Sequence, residues 1–353
     1  MPHPTILGLA TGTPPHRHAQ MELHDRWLLP YIHSQRARAI FAAAEIDTRY
    51  SVLEGADFLA TEPGSKARND YYMQAARPLA AEVIGRALTS ASLAPTDVDH
   101  FMVVSCTGFD DPGLDVLLAG DLGMRATLRR SALIGMGCQA GLTGLDRAAL
   151  EITVRPKSRV LLLTVEFGTL HFQHGRKLDN MVAAALFGDG LAAVVVGSET
   201  IESSLKPDLH PKILNTSTYS DFAAYELLGF RVSDKGYDIR LDKRVPEVLG
   251  DLVPGLVSDF LRGMGLTKED IRFWGIHPGG AKIVDYIGQG LGLASDHLRY
   301  SRAVLRRYGN MSSATIFFVL DEIMRQGQPQ PGDHALLLAF GPGLTIELCL
   351  LQW

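Results

Sequence analysis

Residues 185–190 read Ala-Leu-Phe-Gly-Asp-Gly and run into LAAVVVG; residues 338–343 read Leu-Ala-Phe-Gly-Pro-Gly and run into LTIELCL. Each is a Phe-Gly-x-Gly turn entering an apolar, strand-like run, one late in each half of the chain. A second echo keeps the same order. Gly135-Met136-Gly137-Cys138 precedes one helical pattern, and Tyr308-Gly309-Asn310 precedes another. Two related halves packed about a pseudo-twofold axis account for both echoes at once. Helical patterns alternate with apolar strands along the whole chain, which makes the core a layered α/β one.

Working outward from those turns, strands are expected over 6–10, 100–105, 159–164, 191–197, 272–276, 335–339 and 344–350. Helices are expected over 20–41 (with Trp27, Leu28, Tyr31 and Ile32 on one face), 71–88, 114–122, 139–150, 178–186, 245–264 and 281–291, and again after Asn310. Residues 48–65 read as irregular. The polar stretch 199–213, with Pro207 and Pro211, reads as the connection between the halves, which sets units of 1–205 and 206–353.

Cys138 stands where a strand (131 onward) turns through glycine into a helix. A thiol at a first helical turn meets unpaired N–H groups and the positive end of the helix dipole, and both lower its pKa toward the thiolate. The competing reading is a buried core cysteine. Three cysteines among 353 residues are too few for a disulfide framework and point to reduced thiols in a cytoplasmic setting. A composition 46% hydrophobic and 21% charged is ordinary for a globular protein, and a net charge of -5 leaves no basic footprint for nucleic acid. No leader peptide and no apolar run of about 20 residues is evident. The glycine pairs at 8–12 and 288–292 lack the rest of a dinucleotide-binding unit. His171 and His174 lack the further ligands of a metal site.

Cys138, His277 in His-Pro-Gly-Gly and Asn310 therefore offer a thiol, an imidazole and an amide at strand ends and helix starts. A thiol beside an imidazole suits a covalent acyl intermediate, and an amide donor suits a developing oxyanion or enolate. Each also has a structural reading: a loop histidine, a helix cap. Arg36, Arg38 and Arg49 form a basic stretch that reads either as a contact for CoA phosphates or as a solvated helix face.

GMGCQAG, LFGDG, IHPGG, YGNMSSA and FGPGLTIE, in this order and over most of the chain, resemble the thiolase superfamily. Within it they resemble the type III polyketide synthases, the chalcone synthase-like enzymes. The resemblance implies a layered αβαβα fold and a homodimer. It implies acyltransferase chemistry in which CoA thioesters are the substrates and no cofactor or metal takes part. Cys138 matches the acyl-accepting nucleophile. His277 and Asn310 match the pair that activates it and assists malonyl decarboxylation. Phe187 matches an aromatic gatekeeper, Gly279 and Gly280 the turn lining a pantetheine tunnel, and Ser312 a cavity-wall serine. Phe340, Gly341, Pro342 and Gly343 match the loop shaping the cavity floor.

Departures bear on the substrate. Ile239 falls where the family places a second gatekeeper Phe, and Gly168 falls where plant enzymes place a Thr. Asp111 replaces a Met that in plant enzymes enters the partner's cavity. Smaller residues at Gly168 and Ile239 would open room for a medium or long fatty acyl starter, giving an alkylpyrone or alkylresorcinol, unless bulky neighbours such as Phe167 fill it. The alternatives are an aroyl- or malonyl-primed enzyme, a single-condensation ketosynthase III-like or hydroxymethylglutaryl-CoA synthase-like enzyme, and a non-catalytic acyl-binding homologue.

Overall fold

The structure is a computed structural model that describes residues 3–30, 34–175, 177–198 and 210–353. Its strands are β1 (Pro4–Gly12), β2 (His16–Ala19), β3 (Thr48–Ser51), β4 (His100–Ser105), β5 (Arg129–Ile134), β6 (Val160–Phe167) and β7 (Asp189–Ser198), followed by β8 (Lys212–Ser220), β9 (Leu228–Ser233), β10 (Gly236–Leu241), β11 (Ile271–Ile276), β12 (His334–Gly341) and β13 (Thr345–Gln352). Nine of them form one sheet in the order β11-β12-β13-β8-β1-β7-β6-β4-β5.

The two halves repeat one pattern. In the first, β1 runs antiparallel to β7, β7 antiparallel to β6, and β6 parallel to β4. In the second, β8 runs antiparallel to β13, β13 antiparallel to β12, and β12 parallel to β11. The seam between β1 and β8 is narrow, with Thr5 opposite Lys212 as its single registered pair.

Burial sorts the elements into five layers. On β6 and β7, Leu161, Leu163, Val165, Leu191, Ala193 and Val195 face an outer core shared with the long helix Ser65–Ser90. Their neighbours Leu162, Ala192, Val194 and Val196 face a central core built on helices Ala140–Val154 and Thr315–Gln326. Leu337, Ala339, Cys349 and Leu351 close that core from the second half. The other face of the second half, including Leu336, Leu338 and Leu350, packs on helices Val245–Gly263 and Ala281–Leu291. Helix, sheet, helix, sheet, helix is the result. Strands buried on both faces carry near-continuous apolar runs rather than alternation, which is why β4, β6 and β7 are legible in sequence.

Several boundaries differ from expectation. The first helical stretch is broken into Gln20–Glu22, a π-helical turn Leu23–Leu28 and Gln35–Ala42, while Tyr31 and Ile32 fall outside the described residues. The irregular stretch holds β3 and a short helix, Asp57–Ala60. The boundary at 205/206 and Pro207 also fall outside the described residues. β8, the hairpin β9–β10 and helix Arg299–Tyr308 were not anticipated.

Candidate active site

The echoing turns exchange partners across the molecule. In the first half, Phe187 forms an isolated parallel bridge with Asn310 of the second. The Asn310 N–H donates to Leu186 O at 2.8 Å, and the Gly188 N–H donates to Asn310 O at 2.9 Å. In return, the second half's Phe-Gly-Pro-Gly turn docks on the cysteine turn. Gly137 has φ +80, and a Cβ there would lie 2.2 Å from Pro342 Cδ. A Cβ at Gly341 would lie 1.4 Å from Gln139 Oε1. Only glycine tolerates both the left-handed backbone and the close approach. Each helix start is thus clamped by the turn belonging to the opposite half.

This exchange brings the polar groups together. Cys138 Sγ lies 4.0 Å from Asn310 Oδ1. Asn310 Oδ1 accepts from the Ser312 N–H at 2.8 Å and the Thr315 hydroxyl at 3.4 Å, which fixes the amide so that Nδ2 points to Gly279 O at 3.4 Å. Gly279 in turn sits against the His277 ring, since a Cβ on it would be 3.7 Å from Nε2. His277 is buried at the end of β11, and neither ring nitrogen has a partner among the described residues. Burial drives its pKa down to about 3, so the imidazole rests neutral.

Cys138 departs from the expected thiolate. Burial pushes its pKa up to about 11, and this outweighs the hydrogen bonds with Ser312, Asn310 and its own backbone, which pull the other way. The Asn310 Oδ1 beside the sulfur accepts from the thiol rather than donating to it. At rest both the thiol and the imidazole are neutral.

Beneath the thiol lies a second polar layer that the sequence reading overlooked. Ser312, held at φ +50, places its hydroxyl 3.1 Å from Cys106 Sγ. Cys106 also contacts Glu166 Oε2 at 3.4 Å. Glu166 is fully buried and accepts from the Cys106 N–H, the Thr107 hydroxyl at 2.8 Å and the Ser313 hydroxyl. Desolvation raises its pKa against those donors. A charged residue inside the apolar run of β6 was the available signal, because a buried carboxylate needs such partners.

Other expected site residues are distributed less evenly. Phe187 meets the site through its backbone, and its carbonyl accepts from the buried Arg49 guanidinium at 2.5 Å. Arg49 is therefore a core residue, whereas Arg36 and Arg38 are exposed. Gly280 precedes helix Ala281–Leu291 beside Leu186, while Gly343 hydrogen-bonds Leu228 O. Phe340 points into the outer core of the second half, away from Cys138. Pro342 and Gly341 brace the cysteine turn itself.

At both expected openings an aromatic residue is the neighbour. A Cβ at Gly168 would lie 3.0 Å from Phe187 Cβ and 3.3 Å from Gly188 O, so the gatekeeper already occupies that space. Phe167, the neighbour suspected of filling it, is instead wholly buried against Tyr72. Ile239 sits directly across the hairpin from Phe230. Phe230 stacks on Tyr237 at 4.4 Å between centroids, and Tyr237 stacks on His171 at 3.9 Å.

Residues 3–200 match the family described as chalcone and stilbene synthases, N-terminal domain, and residues 223–353 match its C-terminal domain. The chain belongs to the chalcone and stilbene synthase family. These are the type III polyketide synthases, acyltransferase-type condensing enzymes with the thiolase-like fold. A 1,3,6,8-tetrahydroxynaphthalene synthase of Streptomyces peucetius subsp. caesius is 33% identical, with 99% of this chain and 93% of that protein covered. A 3,5-dihydroxyphenylacetyl-CoA synthase of Amycolatopsis orientalis is 30% identical, with 99% and 93% covered. The crystal structure of PKS-I from the brown alga Ectocarpus siliculosus superposes with a TM-score of 0.92 at 27% identity, covering 100% of this chain and 98% of that one. The tetrahydroxynaphthalene synthase of Streptomyces coelicolor A3(2) superposes with a TM-score of 0.89 at 29% identity, with 99% of each chain covered.

Proposed function

We propose that this type III polyketide synthase loads an acyl group from a CoA thioester onto Cys138 and extends it iteratively with malonyl-CoA. The observation that carries this reading is the convergence of Cys138, Asn310 and the Gly279–His277 turn across the two halves. His277 takes the thiol proton as the sulfur attacks the acyl-CoA carbonyl, then returns it to the departing CoA sulfur. Malonyl-CoA next loses its carboxylate as CO2. The enolate oxygen is held by the Asn310 amide and the His277 ring. The enolate carbon attacks the Cys138 thioester and the cysteine sulfur leaves, so the lengthened chain stays on CoA and can be reloaded. Exposed Arg36 and Arg38 are available to the CoA phosphates.

The starter is short, and malonyl-CoA supplies it. A medium or long fatty acyl starter would need room at Gly168 and Ile239, and these positions border Phe187 and Phe230, which supports a smaller starter. The relatives named for tetrahydroxynaphthalene and dihydroxyphenylacetyl-CoA favour an aromatic ring product in the same direction. The enzyme acts as a homodimer through β5. That strand is the exposed edge of the large sheet and is flanked by exposed Ile134, Leu150 and Val154.

Incubation with radiolabelled malonyl-CoA, alone and with octanoyl-CoA or benzoyl-CoA, tests this reading by product mass. A multiply extended ring product from malonyl-CoA alone is expected, and Cys138→Ala should abolish it. Product only with octanoyl-CoA would overturn the short starter. A single condensation, or no malonyl consumption with any starter, would overturn the synthase reading.

A further inference from the structure

Tyr237 is held more firmly than a cavity-wall residue needs. Its ring is the middle of a three-ring sandwich, parallel to His171 within 5° and to Phe230 within 15°. Its carbonyl accepts from Gln173 Nε2 at 2.8 Å. Next to it, the Gly236 N–H donates to Ser65 Oγ at 2.9 Å, and the Gly236 carbonyl accepts from the Ser233 hydroxyl at 2.7 Å. His171 beneath is anchored through Nε2 to Thr107 O at 2.7 Å. That bond to a carbonyl puts the proton on Nε2 and presents a neutral, flat imidazole face to the tyrosine. Yet among the described residues the Tyr237 hydroxyl has no hydrogen-bond partner. A phenol oriented this completely, with its O–H left unspent, is a donor prepared for something that is not protein.

Its surroundings indicate what that is. His171 ties the stack to Thr107, the residue after Cys106, and Thr107 donates to Glu166. Burial, with the neighbouring Cys106 and Glu166 acting the same way, holds the phenol firmly protonated. Cys106 in turn contacts Ser312, whose hydroxyl serves Cys138. Tyr237 therefore belongs to the polar layer beneath the nucleophile. The neighbouring anion-forming groups are themselves committed, Glu166 to its donors, Cys106 to Ser312 and Glu166, and the Tyr72 hydroxyl to Ser105.

Resting on the synthase reading above, we infer that Tyr237 is a specificity-determining residue that binds the growing poly-β-ketone, its O–H donating to a ketone oxygen and so fixing how the chain folds before ring closure. A poly-β-ketone offers a carbonyl acceptor at every second carbon, whereas a fatty chain offers none along its length. An uncharged donor can grip one such oxygen without drawing protons from the acidic methylenes between them. The rigid stack sets which carbonyl comes within reach, because the ring cannot swing to follow the chain.

The test is Tyr237→Phe, which keeps the ring and the sandwich but removes the donor. Malonyl-CoA consumption is expected within about threefold of wild type, since the variant leaves Cys138, His277 and Asn310 untouched. The ratio of ring product to short, prematurely released lactones is expected to fall at least roughly fivefold, about 1 kcal/mol of lost orientation. His171→Asn, which breaks the stack while leaving the hydroxyl, should shift the same ratio in the same direction. An unchanged ratio in an active Tyr237→Phe enzyme would overturn the inference. So would complete loss of malonyl consumption, which would place the phenol in condensation instead. A wild-type protein that consumes no malonyl-CoA sinks the synthase reading before the variants are compared, so the two failures are separable.

Discussion

At the scale of single residues, the site is defined by what surrounds Cys138 rather than by the cysteine's own position in a helix. The glycine-flanked thiol is plain in GMGCQAG, and so is its place at a helix start. Its ionisation is not, because the burial that pushes the thiol up comes from residues far away in sequence. Ser312 opposes that burial by hydrogen-bonding the sulfur. Ser312→Ala should move the midpoint of iodoacetamide inactivation upward by about half to one pH unit, as expected for one lost hydrogen bond to the thiolate. A midpoint that stays put would mean the hydroxyl serves Cys106 alone. The turn before the thiol yields a second comparison. Gly135 and Gly137 both have positive φ, at +76 and +80, but only Gly137 faces Pro342. Gly135→Ala should cost about 1 kcal/mol of backbone strain. Gly137→Ala should cost about 3 kcal/mol and most of the activity, because strain and collision add. Equal costs in urea denaturation would show that the proline contact is unimportant.

At the scale of elements, the hairpin β9–β10 was not anticipated from the sequence. Its signal was present: Tyr237, Ile239 and Leu241 alternate with Asp238 and Arg240, as on a half-buried strand. Reading Ile239 as a small residue that opens space ignored the partner strand, where Phe230 stands directly opposite. Which residue faces which across a hairpin depends on register, and a single position says nothing of it. His171 under the hairpin also carries a pH signature. Its folded pKa is about 4 against 6.5 in a solvated chain, so between those values only the unfolded chain holds the proton. Its presence leaves stability unaffected above about pH 6.5 and erodes it by about 1.4 kcal/mol per unit as pH falls toward 4. Asp189, raised to about 7, works in the opposite direction, so the cleanest measurement compares variants. Relative to wild type, His171→Asn should regain about 2 kcal/mol on going from pH 7 to pH 5 in urea melts. A difference that is the same at both pH values would contradict a buried neutral imidazole.

At the scale of the whole molecule, the duplicated architecture was legible because each half writes the same turns in the same order. The pairing pattern repeats just as the turns do, from β1-β7-β6-β4 to β8-β13-β12-β11. What the echoes did not disclose is that each turn serves the other half. The two ends of the large sheet also differ. β11 is buried, while β5 presents exposed Ile134 at its end, and Leu150 and Val154 of helix Ala140–Val154 are exposed as well. Ile134→Lys places a charge on that open edge and should convert the homodimer proposed above to monomer, read as a halved mass by light scattering. A wild-type protein already monomeric at micromolar concentration would remove β5 as an interface.

The docking of Pro342 and Gly341 on the cysteine turn also governs when the protein becomes chemically competent during its synthesis. Cys138 leaves the ribosome long before the segment that braces it, and β1 likewise waits for β8 to cover its free side. Until the last turn arrives, the nucleophile's loop has no template. An unfinished chain therefore carries the thiol without the machinery around it. The contact that shapes the site therefore forms only once the second half has been made.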